Sequence, residues 1–429
     1  MRLRMTPGRP AKSTLAVLIG LLGVNAFASI PQKGKGPDFG RVGEQNIRVR
    51  IAEGAPVVRI SGHALTFGSS GSDRVIAAQG GHGAVADSET WELRCQDDRV
   101  RAVRVGGGPG RMLDLASPAR VRSATGFVRL TDRPYRELVR VHAAGSLCEV
   151  VNELSIEKYL SGLVNAEFNS RWNEEAIAAQ VVAARSYALY QIEDARREGL
   201  HFDVDSTVWD QVYDGAARED ARAEKVVRKT RGIALTVGPA ASPVPIKAFY
   251  HSTCAGHTET PEQVWGRAYP GFGRGVACPF CANSPVMYWN IEMSPEELTQ
   301  VIRKGATAEG ILPSSLQGLR GMQLTTLAVS RTDAAGRVVQ VLSRWRTRLG
   351  TIQEWTFSGA RLRSWLGAAR FRSTAFNIYQ AGFFRFEGRG NGHGVGLCQY
   401  GAKGMGEQGY RMAAILKHYY PDAVLRRLW

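Results

Sequence analysis

The stretch Leu154–Tyr190, LSIEKYLSGLVNAEFNSRWNEEAIAAQVVAARSYALY, decides the fold of this chain. Apolar residues recur at helical spacing on both sides of a short polar break, which predicts two helices joined at a tight corner. In the first helix, Leu160, Leu163 and Val164 share one face. The next residue on that face is Glu167, so we expect a carboxylate where the two helices meet.

Glu167 continues an apolar face that should turn toward the core. A carboxyl group placed there loses hydration, which favours its protonated form and raises its pKa. A general acid needs that form near neutral pH. A half-exposed glutamate at a helix end is the structural alternative, and the residues alone leave both interpretations open.

The second helix is predicted to begin after Asn173, a suitable N-cap residue followed by two acidic residues in the first turn. Its apolar face is formed by Ile177, Val181, Ala184 and Ala188. Four further residues are candidates for the wall of a substrate cleft: Gln180, Arg185, Ser186 and Tyr187. A buried aromatic side chain is the alternative for the tyrosine.

Two patterns, E-K-Y-L-x-G-L-V-x-A-E and E-A-I-A-A-Q-V-V-A-A-R-S-Y-A-L, resemble the signature of the stage II sporulation protein D/LytB amidase-enhancer family. The resemblance extends over residues 47–428, with supporting stretches YRELVRV, FDVDSTVWDQVYDG, YHSTCAGHTETPEQVWG, FSGARLRSWLG and GHGVGLCQYGAKGMGEQG. The chain departs from the family pattern at Glu137, where Gly is frequent, and at Asn391, where an aromatic residue is frequent. It also has Cys398 where the family often has Ser or Met.

The resemblance implies a peptidoglycan lytic transglycosylase in which Glu167 protonates the glycosidic oxygen. The same carboxyl group then accepts the proton of the sugar's own 6-hydroxyl group, which leaves anhydro-muramic acid ends. No second carboxylate is as well placed, because Glu157 and Glu174 are expected at the surface and Asp205 and Asp210 in a turn. The resemblance further implies glycan strands stripped of stem peptides as substrate. A non-catalytic wall-binding protein that enhances a cell-wall amidase is the alternative function.

The formal net charge of +16 indicates an anionic partner such as nucleic acid, a membrane surface or a wall polymer. No run interleaves basic and aromatic residues, so we do not expect nucleic acid binding. Residues 1–28 are predicted to be a secretory signal peptide, with the apolar run LAVLIGLLGV and the small residues Ala26 and Ala28 at the cleavage site. That run is short for a membrane span, so the protein is expected to be exported to the periplasm or cell wall and peripheral to the membrane at most.

The predicted fold class is α+β. A flexible lead-in over residues 29–46 precedes a β-rich part over 47–151, where short runs alternate between apolar and polar residues. Residues 152–429 are predicted to form a mixed α/β catalytic core, in which the helices and a C-terminal glycine-rich loop form one cleft, and a final helix ends the chain. Cys95 and Cys148 fall in separate predicted strands, and we expect them to pair.

The segment 388–401 places Gly390, Gly392, Gly394, Gly396 and Gly401 around His393. Such a segment permits a tight loop whose backbone can approach a polysaccharide. His393, Gln399 and Tyr400 are therefore candidate sugar-binding residues. A phosphate-binding loop is the competing idea, but no Lys-Ser/Thr pair follows the glycines. A glycine-rich turn around a packed histidine is the structural alternative.

His251, Cys254, His257, Cys278 and Cys281 form the pattern H-x₂-C-x₂-H followed by C-x₂-C. Tetrahedral zinc takes four such ligands, and we favour His251, Cys254, Cys278 and Cys281, with His257 as a substitute for His251. The resemblance supports this predicted zinc site, because some relatives bind zinc in the corresponding region. The predicted zinc is a structural clamp without an open position. A disulfide between Cys254 and Cys278 or Cys281, and a zinc hydrolase, are the alternatives.

Overall fold

The computed structural model describes residues 43–69, 76–77, 88–106, 112–311, 322–347 and 350–429. The predicted signal peptide and most of the predicted lead-in lie outside these residues. The chain divides into two units, which we call the helix-pair unit, up to Lys247 together with Val424–Trp429, and the cysteine unit, Ala248–Ala423. Both contain helices and sheets, so the α+β class is confirmed. Within the described residues, no helix combines the length and apolar character needed to cross a membrane.

The helix-pair unit is dominated by antiparallel strands. Its strands are β1 (Asn46–Ala55), β2 (Val58–Gly62), β3 (Leu65–Gly68), β4 (Ile76–Ala77), β5 (Glu89–Gln96), β6 (Arg99–Arg104), β7 (Met112–Ala116), β8 (Ala119–Ser123), β9 (Phe127–Leu130), β10 (Arg133–Arg136), β11 (Leu138–Ala144), β12 (Leu147–Ser155), β13 (Val204–Asp205), β14 (Ile233–Val237), β15 (Val244–Pro245) and β24 (Val424–Arg427). They form sheets of order β13-β1-β12-β11-β8-β3-β4, β10-β9-β2-β5-β6-β7 and β15-β14-β24.

Alternation of buried and exposed residues explains how the two larger sheets form a core. In β5, Trp91, Leu93 and Cys95 are buried while their neighbours along the strand are more exposed, as period-two patterning predicts. Cys95 is bonded to Cys148 of β12, which lies in the other large sheet. The predicted pairing of these two cysteines is confirmed.

Three helices follow and complete this unit: α1 (Ile156–Glu167), α2 (Glu174–Arg197) and α3 (Ala221–Lys229). The predicted helix pair is therefore present. Asn173 is the N-cap of α2, and its side chain accepts a hydrogen bond of 2.9 Å from the backbone N–H of Glu175. Residue 151, the predicted end of the β-rich part, lies within β12 inside the helix-pair unit.

The cysteine unit has shorter elements around an aromatic core. Its strands are β16 (Tyr250–His251), β17 (Tyr288–Met293), β18 (Gln323–Thr332), β19 (Val338–Arg346), β20 (Ile352–Phe357), β21 (Ala375–Gln380), β22 (Phe384–Arg389) and β23 (Leu397–Cys398). Its helices are α4 (Pro261–Trp265), α5 (Pro295–Ala308), α6 (Gly359–Leu366), α7 (Gln399–Glu407) and α8 (Met412–Tyr419), with a 3-10 turn at Pro279–Cys281. The sheets are β16-β23, β17-β22-β21 and β18-β19-β20.

The core of this unit includes Trp289, Phe371, Phe376 and Phe386, which lie against one another with ring centroids 4.8–6.5 Å apart. Fully burying one such side chain contributes about 1.5–3 kcal/mol relative to leaving it exposed. These rings cover one face of the β17-β22-β21 sheet, and the residues between them along the strands project from the other face.

The secondary structure at the end of the chain differs from the one predicted from the sequence. The residues VLRR were expected to end the last helix, but they form β24, which pairs antiparallel with β14. Helix α8 ends at Tyr419, and Pro421 follows two residues later, where its ring opposes continuation of a helix. Whether the helices and the glycine-rich segment form one cleft stays a prediction.

Candidate functional site

Glu167 is the last residue of α1 and is half-buried. The apolar face that precedes it, Leu160, Leu163 and Val164, is fully buried. The backbone N–H of Val212 donates a hydrogen bond of 2.5 Å to Oε1 of Glu167. The carboxyl group therefore lies at the edge of the core, where it is held in a fixed direction and remains partly exposed.

The segment that supplies Val212 is fastened to α2 through Asp210. Oδ1 of Asp210 accepts hydrogen bonds from the hydroxyl of Tyr187 at 2.8 Å and from Nε2 of Gln191 at 2.9 Å. Oδ2 accepts the backbone N–H of Asp205 at 2.8 Å. These contacts occupy both oxygens, so Asp210 holds the segment in place two residues before the amide that binds Glu167.

Gln211 joins the same segment to both helices. Its Oε1 accepts a hydrogen bond of 3.0 Å from the hydroxyl of Tyr159 on α1, and its Nε2 donates to the carbonyl of Ala184 on α2 at 3.3 Å. Burial raises the pKa of Tyr159 well above its ordinary value, and the nearby charges of Glu167 and Asp210 raise it further. The hydroxyl stays neutral and remains a donor. We name residues 205–213, which carry these contacts, the connecting segment.

Glu157 is not the surface residue that was expected. Its two oxygens accept hydrogen bonds from Nε and Nη2 of Arg185 at 3.1 and 2.7 Å, and its side chain is only 12% exposed. Arg185 is fully buried and also donates to the carbonyl of Ile233 at 3.0 Å. Burial lowers the pKa of Arg185, while the Glu157 carboxylate opposes that effect. This ion pair has a structural role.

The other candidate substrate-binding residues of α2 also lie in the interior. Ser186 is fully buried, donates to the carbonyl of Val182 at 2.6 Å and accepts the N–H of Leu235 at 2.8 Å. Tyr187 is 6% exposed, as its structural alternative predicted. Gln180 is 2% exposed, and its amide has no hydrogen-bond partner among the described residues. The structure thus places these side chains inside the unit rather than on an exposed cleft wall.

His393 lies packed in the cysteine unit. Its Nε2 lies 3.0 Å from the carbonyl of Tyr250, and its Nδ1 accepts the N–H of Val395 at 3.1 Å, which assigns the proton to Nε2. Burial lowers the pKa of His393 to about 3. Gln399 is 8% exposed and Tyr400 is half-buried. The structure therefore favours a packed neutral histidine, and His393 and Tyr400 are both partly exposed whereas Gln399 is buried.

The glycines around His393 are required by close packing. Gly396 has a φ of 70°, and a Cβ atom there would lie 2.1 Å from the carbonyl oxygen of Phe249. Gly394 has a φ of 85°, and its Cβ would lie 2.5 Å from Nη2 of the buried Arg337. Both positions favour glycine for backbone conformation and for space. Residues 394–399 are buried, which favours the alternative of a glycine-rich turn, while residues 391–393 remain partly exposed.

Four buried cysteines come together in the cysteine unit: Cys254, Cys278, Cys281 and Cys398. Their sulfur atoms all lie within 4.8 Å of one another, and each residue is at most 1% exposed. The sulfurs of Cys254 and Cys281 are 3.6 Å apart. Four sulfurs bound tetrahedrally to zinc at about 2.3 Å would be roughly 3.8 Å apart. These cysteines, which we call the four-cysteine cluster, could hold a metal ion.

Cys398 is the ligand candidate that the sequence analysis missed. It caps the N-terminus of α7, and its sulfur accepts the backbone N–H groups of Cys254 and Gly401, each at 3.3 Å. Burial raises the pKa of Cys398 well above its ordinary value, so a thiolate there would need a compensating cation. A count could have found it: six cysteines less the Cys95–Cys148 pair leave four.

The two histidines predicted as ligands have other contacts. Nδ1 of His251 lies 3.1 Å from the carbonyl of Val395, and Nδ1 of His257 lies 2.7 Å from the carbonyl of Thr258. Neither belongs to the four-cysteine cluster, so the predicted set with His251 is replaced by one with Cys398. The alternative disulfide is absent, because all four of these cysteines are free.

The fold and site define an α+β protein with one half-buried, oriented carboxylate and a separate cluster of four thiols. The family described as SpoIID, stage II sporulation protein, matches residues 145–237. That range contains Glu167 and the whole connecting segment, whereas the four-cysteine cluster lies outside it.

Several proteins are similar to the chain over a longer range. An uncharacterized protein of Brachyspira hyodysenteriae is 32% identical over 63% of this chain and 66% of its own length. The amidase enhancer of Bacillus subtilis is 27% identical over 62% of this chain and 40% of its own length. The stage II sporulation protein D of Bacillus amyloliquefaciens is 28% identical over 63% of this chain and 74% of its own length. The chain therefore contains a domain of the SpoIID family, and it spans less than two thirds of the length of the first two relatives.

Proposed function

We propose that this protein is an exported peptidoglycan lytic transglycosylase in which Glu167 is the single general acid and base. The observation that carries the proposal is the half-buried carboxyl group at the end of α1, held by the N–H of Val212. The SpoIID domain and the similarity to an amidase enhancer and a stage II sporulation protein D support a role connected with the cell wall.

In the proposed reaction, Glu167 donates its proton to the glycosidic oxygen as the bond from that oxygen to the sugar C1 breaks. The resulting carboxylate accepts the proton of the 6-hydroxyl group as the hydroxyl oxygen bonds to the same C1. The sugar ring closes to its 1,6-anhydro form, and Glu167 regains its proton. A hydrolase usually needs a second carboxylate to activate water or to attack C1. Asp210 already accepts three hydrogen bonds, which makes it a poor base for that purpose.

Mass spectrometry of digested glycan tests the proposal. The full chain should release products with anhydro-muramic ends, faster from glycan stripped of stem peptides than from peptide-bearing wall. Glu167→Gln should release none, while the matched control Glu174→Gln, which alters a partly exposed carboxylate at the start of α2, should act like wild type. Reducing ends as the sole products would mean that water attacks C1, and the proposed mechanism would be wrong.

A non-catalytic amidase enhancer is the second candidate function, because one relative bears that name. In this case the partner is a cell-wall amidase, and the chain binds peptidoglycan without cleaving it. Wild type and Glu167→Gln would then stimulate a purified amidase equally, and neither would cleave glycan. Glycan cleavage that is present in wild type and lost in Glu167→Gln would favour the transglycosylase over the amidase enhancer.

We also propose that the four-cysteine cluster binds a structural zinc ion. Four thiolates satisfy tetrahedral zinc and leave no open position for water, so the ion would hold the cluster together without taking part in catalysis. Elemental analysis of protein purified without added metal should give roughly one zinc per chain. A thiol count after denaturation without reductant should find four free cysteines. Absence of zinc together with missing thiols would instead show a disulfide.

A further inference from the structure

One face of the β17-β22-β21 sheet is open to solvent and carries polar and aromatic side chains. The register aligns Tyr288, Arg389 and Ala375 in a first row across the sheet. The second row is Asn290, Glu387 and Asn377, and the third is Glu292, Arg385 and Tyr379. Residues opposite one another project from the same side of a sheet, so these three rows form one surface. We call it the open sheet face.

A cavity of about 380 Å³ lies at the first two rows of this face. Its polar lining consists of Tyr288, Asn290, Asn377, Glu387 and Arg389, and Gly336, from the turn between β18 and β19, lines it from another element. Ligand pockets in proteins commonly measure about 300–1,000 Å³. The cavity therefore has room for a small ligand segment, and side chains that can form hydrogen bonds surround it.

Tyr288 is the most unusual residue of this face because its side chain is largely open to solvent. It is 74% exposed, although Trp289 beside it on the strand is buried and donates to the carbonyl of Gly390 at 3.1 Å. The position of Tyr288 follows from that of Trp289, since the strand alternates and the tryptophan belongs to the core. A rigid aromatic ring fixed beside a cavity offers a surface for stacking.

The residues that line the cavity include one acid, Glu387, and one base, Arg389. Arg385 forms an ion pair with Glu387, so the charges of these two residues compensate each other. The guanidinium of Arg385 also lies 5.7 Å from the ring centroid of Tyr379. Arg389 is exposed and has no ion pair among the residues that the structure describes. Glu292 lies two rows away, roughly 14 Å along the strand from the row of Arg389. An anionic group at the cavity would therefore meet a guanidinium without an ion pair among the described residues, while the neighbouring Glu387 is already paired with Arg385.

We propose that the open sheet face binds a segment of glycan that contains a carboxylated amino sugar. The carbon–hydrogen face of a sugar ring stacks on Tyr288, the two asparagines bind hydroxyl and N-acetyl groups, and Arg389 binds the carboxylate. An arginine is well suited to this last contact because its guanidinium can bind both carboxylate oxygens. The identity of the glycan rests on the proposed function, whereas the residues of this site all belong to the cysteine unit.

Binding is measured by calorimetry on the full chain carrying Glu167→Gln, so that cleavage cannot interfere. The probes are an oligosaccharide of alternating N-acetylglucosamine and N-acetylmuramic acid, the same oligosaccharide with its carboxylates methylated, and a neutral N-acetylglucosamine oligomer. Tyr288→Ala should weaken binding of all three by roughly 3- to 10-fold. Arg389→Gln should weaken only the free acid, by a similar factor.

Matched controls separate this site from general charge attraction. Tyr410→Ala removes another exposed tyrosine, and Arg303→Gln removes one positive charge from the exposed side of α5. Both should bind all probes as the parent does. The proposal is wrong if Tyr288→Ala and Arg389→Gln bind like these controls, or if Arg303→Gln weakens binding of the acid as much as Arg389→Gln does.

The outcome of this binding experiment is independent of whether the protein cleaves glycan. A wild-type chain that leaves glycan intact would overturn the transglycosylase assignment, and the binding differences between variants would still decide this proposal. Thermal unfolding of each variant confirms that the cysteine unit is folded, and Arg389→Lys should recover part of the binding because it restores the charge.

Discussion

Glu167 and the four-cysteine cluster show two ways of placing reactive side chains. Glu167 is half-buried and stands at the end of a helix, with an amide of the connecting segment directing it. The four cysteines are almost completely enclosed, and their neighbours are backbone groups, one another and the hydroxyl of Tyr419. A group that acts on a large polymer must remain accessible, whereas a group that holds a structural ion is more stable when water is excluded. The comparison fits the proposed chemistry at the first region and the proposed structural ion at the second.

The largest expected effect is loss of metal and stability in Cys398→Ser. A hydroxyl group is a weaker zinc ligand than a thiolate, so zinc content should fall well below one per chain. Loss of a structural metal belongs to the few changes that cost about 4 kcal/mol or more in the free energy of unfolding. Elemental analysis and calorimetric unfolding measure both quantities.

His251→Gln is the control that sharpens this prediction. It removes the ligand favoured by the sequence pattern but leaves the four sulfurs in place, so zinc content should stay near one per chain. Zinc retained in Cys398→Ser and lost in His251→Gln would restore the original ligand set and contradict the four-cysteine cluster.

The second prediction is that Glu167→Gln lowers turnover by about 10²–10⁴-fold, the usual contribution of a general acid or base. The amide keeps the shape of the side chain but has no proton to transfer. The free energy of unfolding should change little, because the carboxyl group is only half-buried. Glycan cleavage assays and urea unfolding are the measurements, and normal turnover in the folded variant would contradict the assignment.

The third prediction concerns Asp210, which we regard as a positioning residue. In Asp210→Asn the new amide nitrogen cannot accept one of the three hydrogen bonds, so the connecting segment and the amide of Val212 should shift slightly. Turnover should fall by about tenfold, less than the roughly 10²-fold that a displacement of 1 Å can cost.

The dependence of kcat on pH distinguishes a positioning role of Asp210 from a catalytic role. A positioning residue leaves the profile of kcat unchanged, because the titrating group is still present in the variant. Loss of one limb of the profile, with a reduction as large as in Glu167→Gln, would show that Asp210 is a second catalytic carboxylate.

The smallest expected effect is that of Glu174→Gln. Glu174 accepts hydrogen bonds from Lys225 at 3.0 Å and Lys229 at 2.8 Å, which lower its pKa to about 2. Exposed ion pairs contribute less than about 1 kcal/mol, so urea unfolding at pH 7 should show a small loss of stability.

The sign of its pH dependence follows from the lowered pKa. A carboxyl group with a lower pKa in the folded state stabilises the fold above its unfolded pKa of about 4.3. That stabilisation is lost as the pH falls toward 2, so wild type and Glu174→Gln should converge there. A difference that grows on acidification would contradict the ion-pair explanation.

The sequence by itself determined the helix pair, the N-cap at Asn173 and the place of Glu167 at the end of an apolar face. These features depend on contacts between residues three or four positions apart, and helical periodicity displays such contacts directly. Alternation along the strands likewise predicted the β-rich part and the separate strands of Cys95 and Cys148.

Only the tertiary structure decided what each predicted face contacts. Periodicity shows that Arg185 lies beside an apolar face, but not that Glu157 and a carbonyl of β14 enclose it. It gives no sign that Val212 orients Glu167. Cys398 joins the four-cysteine cluster although 144 positions separate it from Cys254, because the packing of α7 and β23 brings them together. Local spacing determines which side of an element is apolar, whereas the partner on that side depends on the folding of the whole unit.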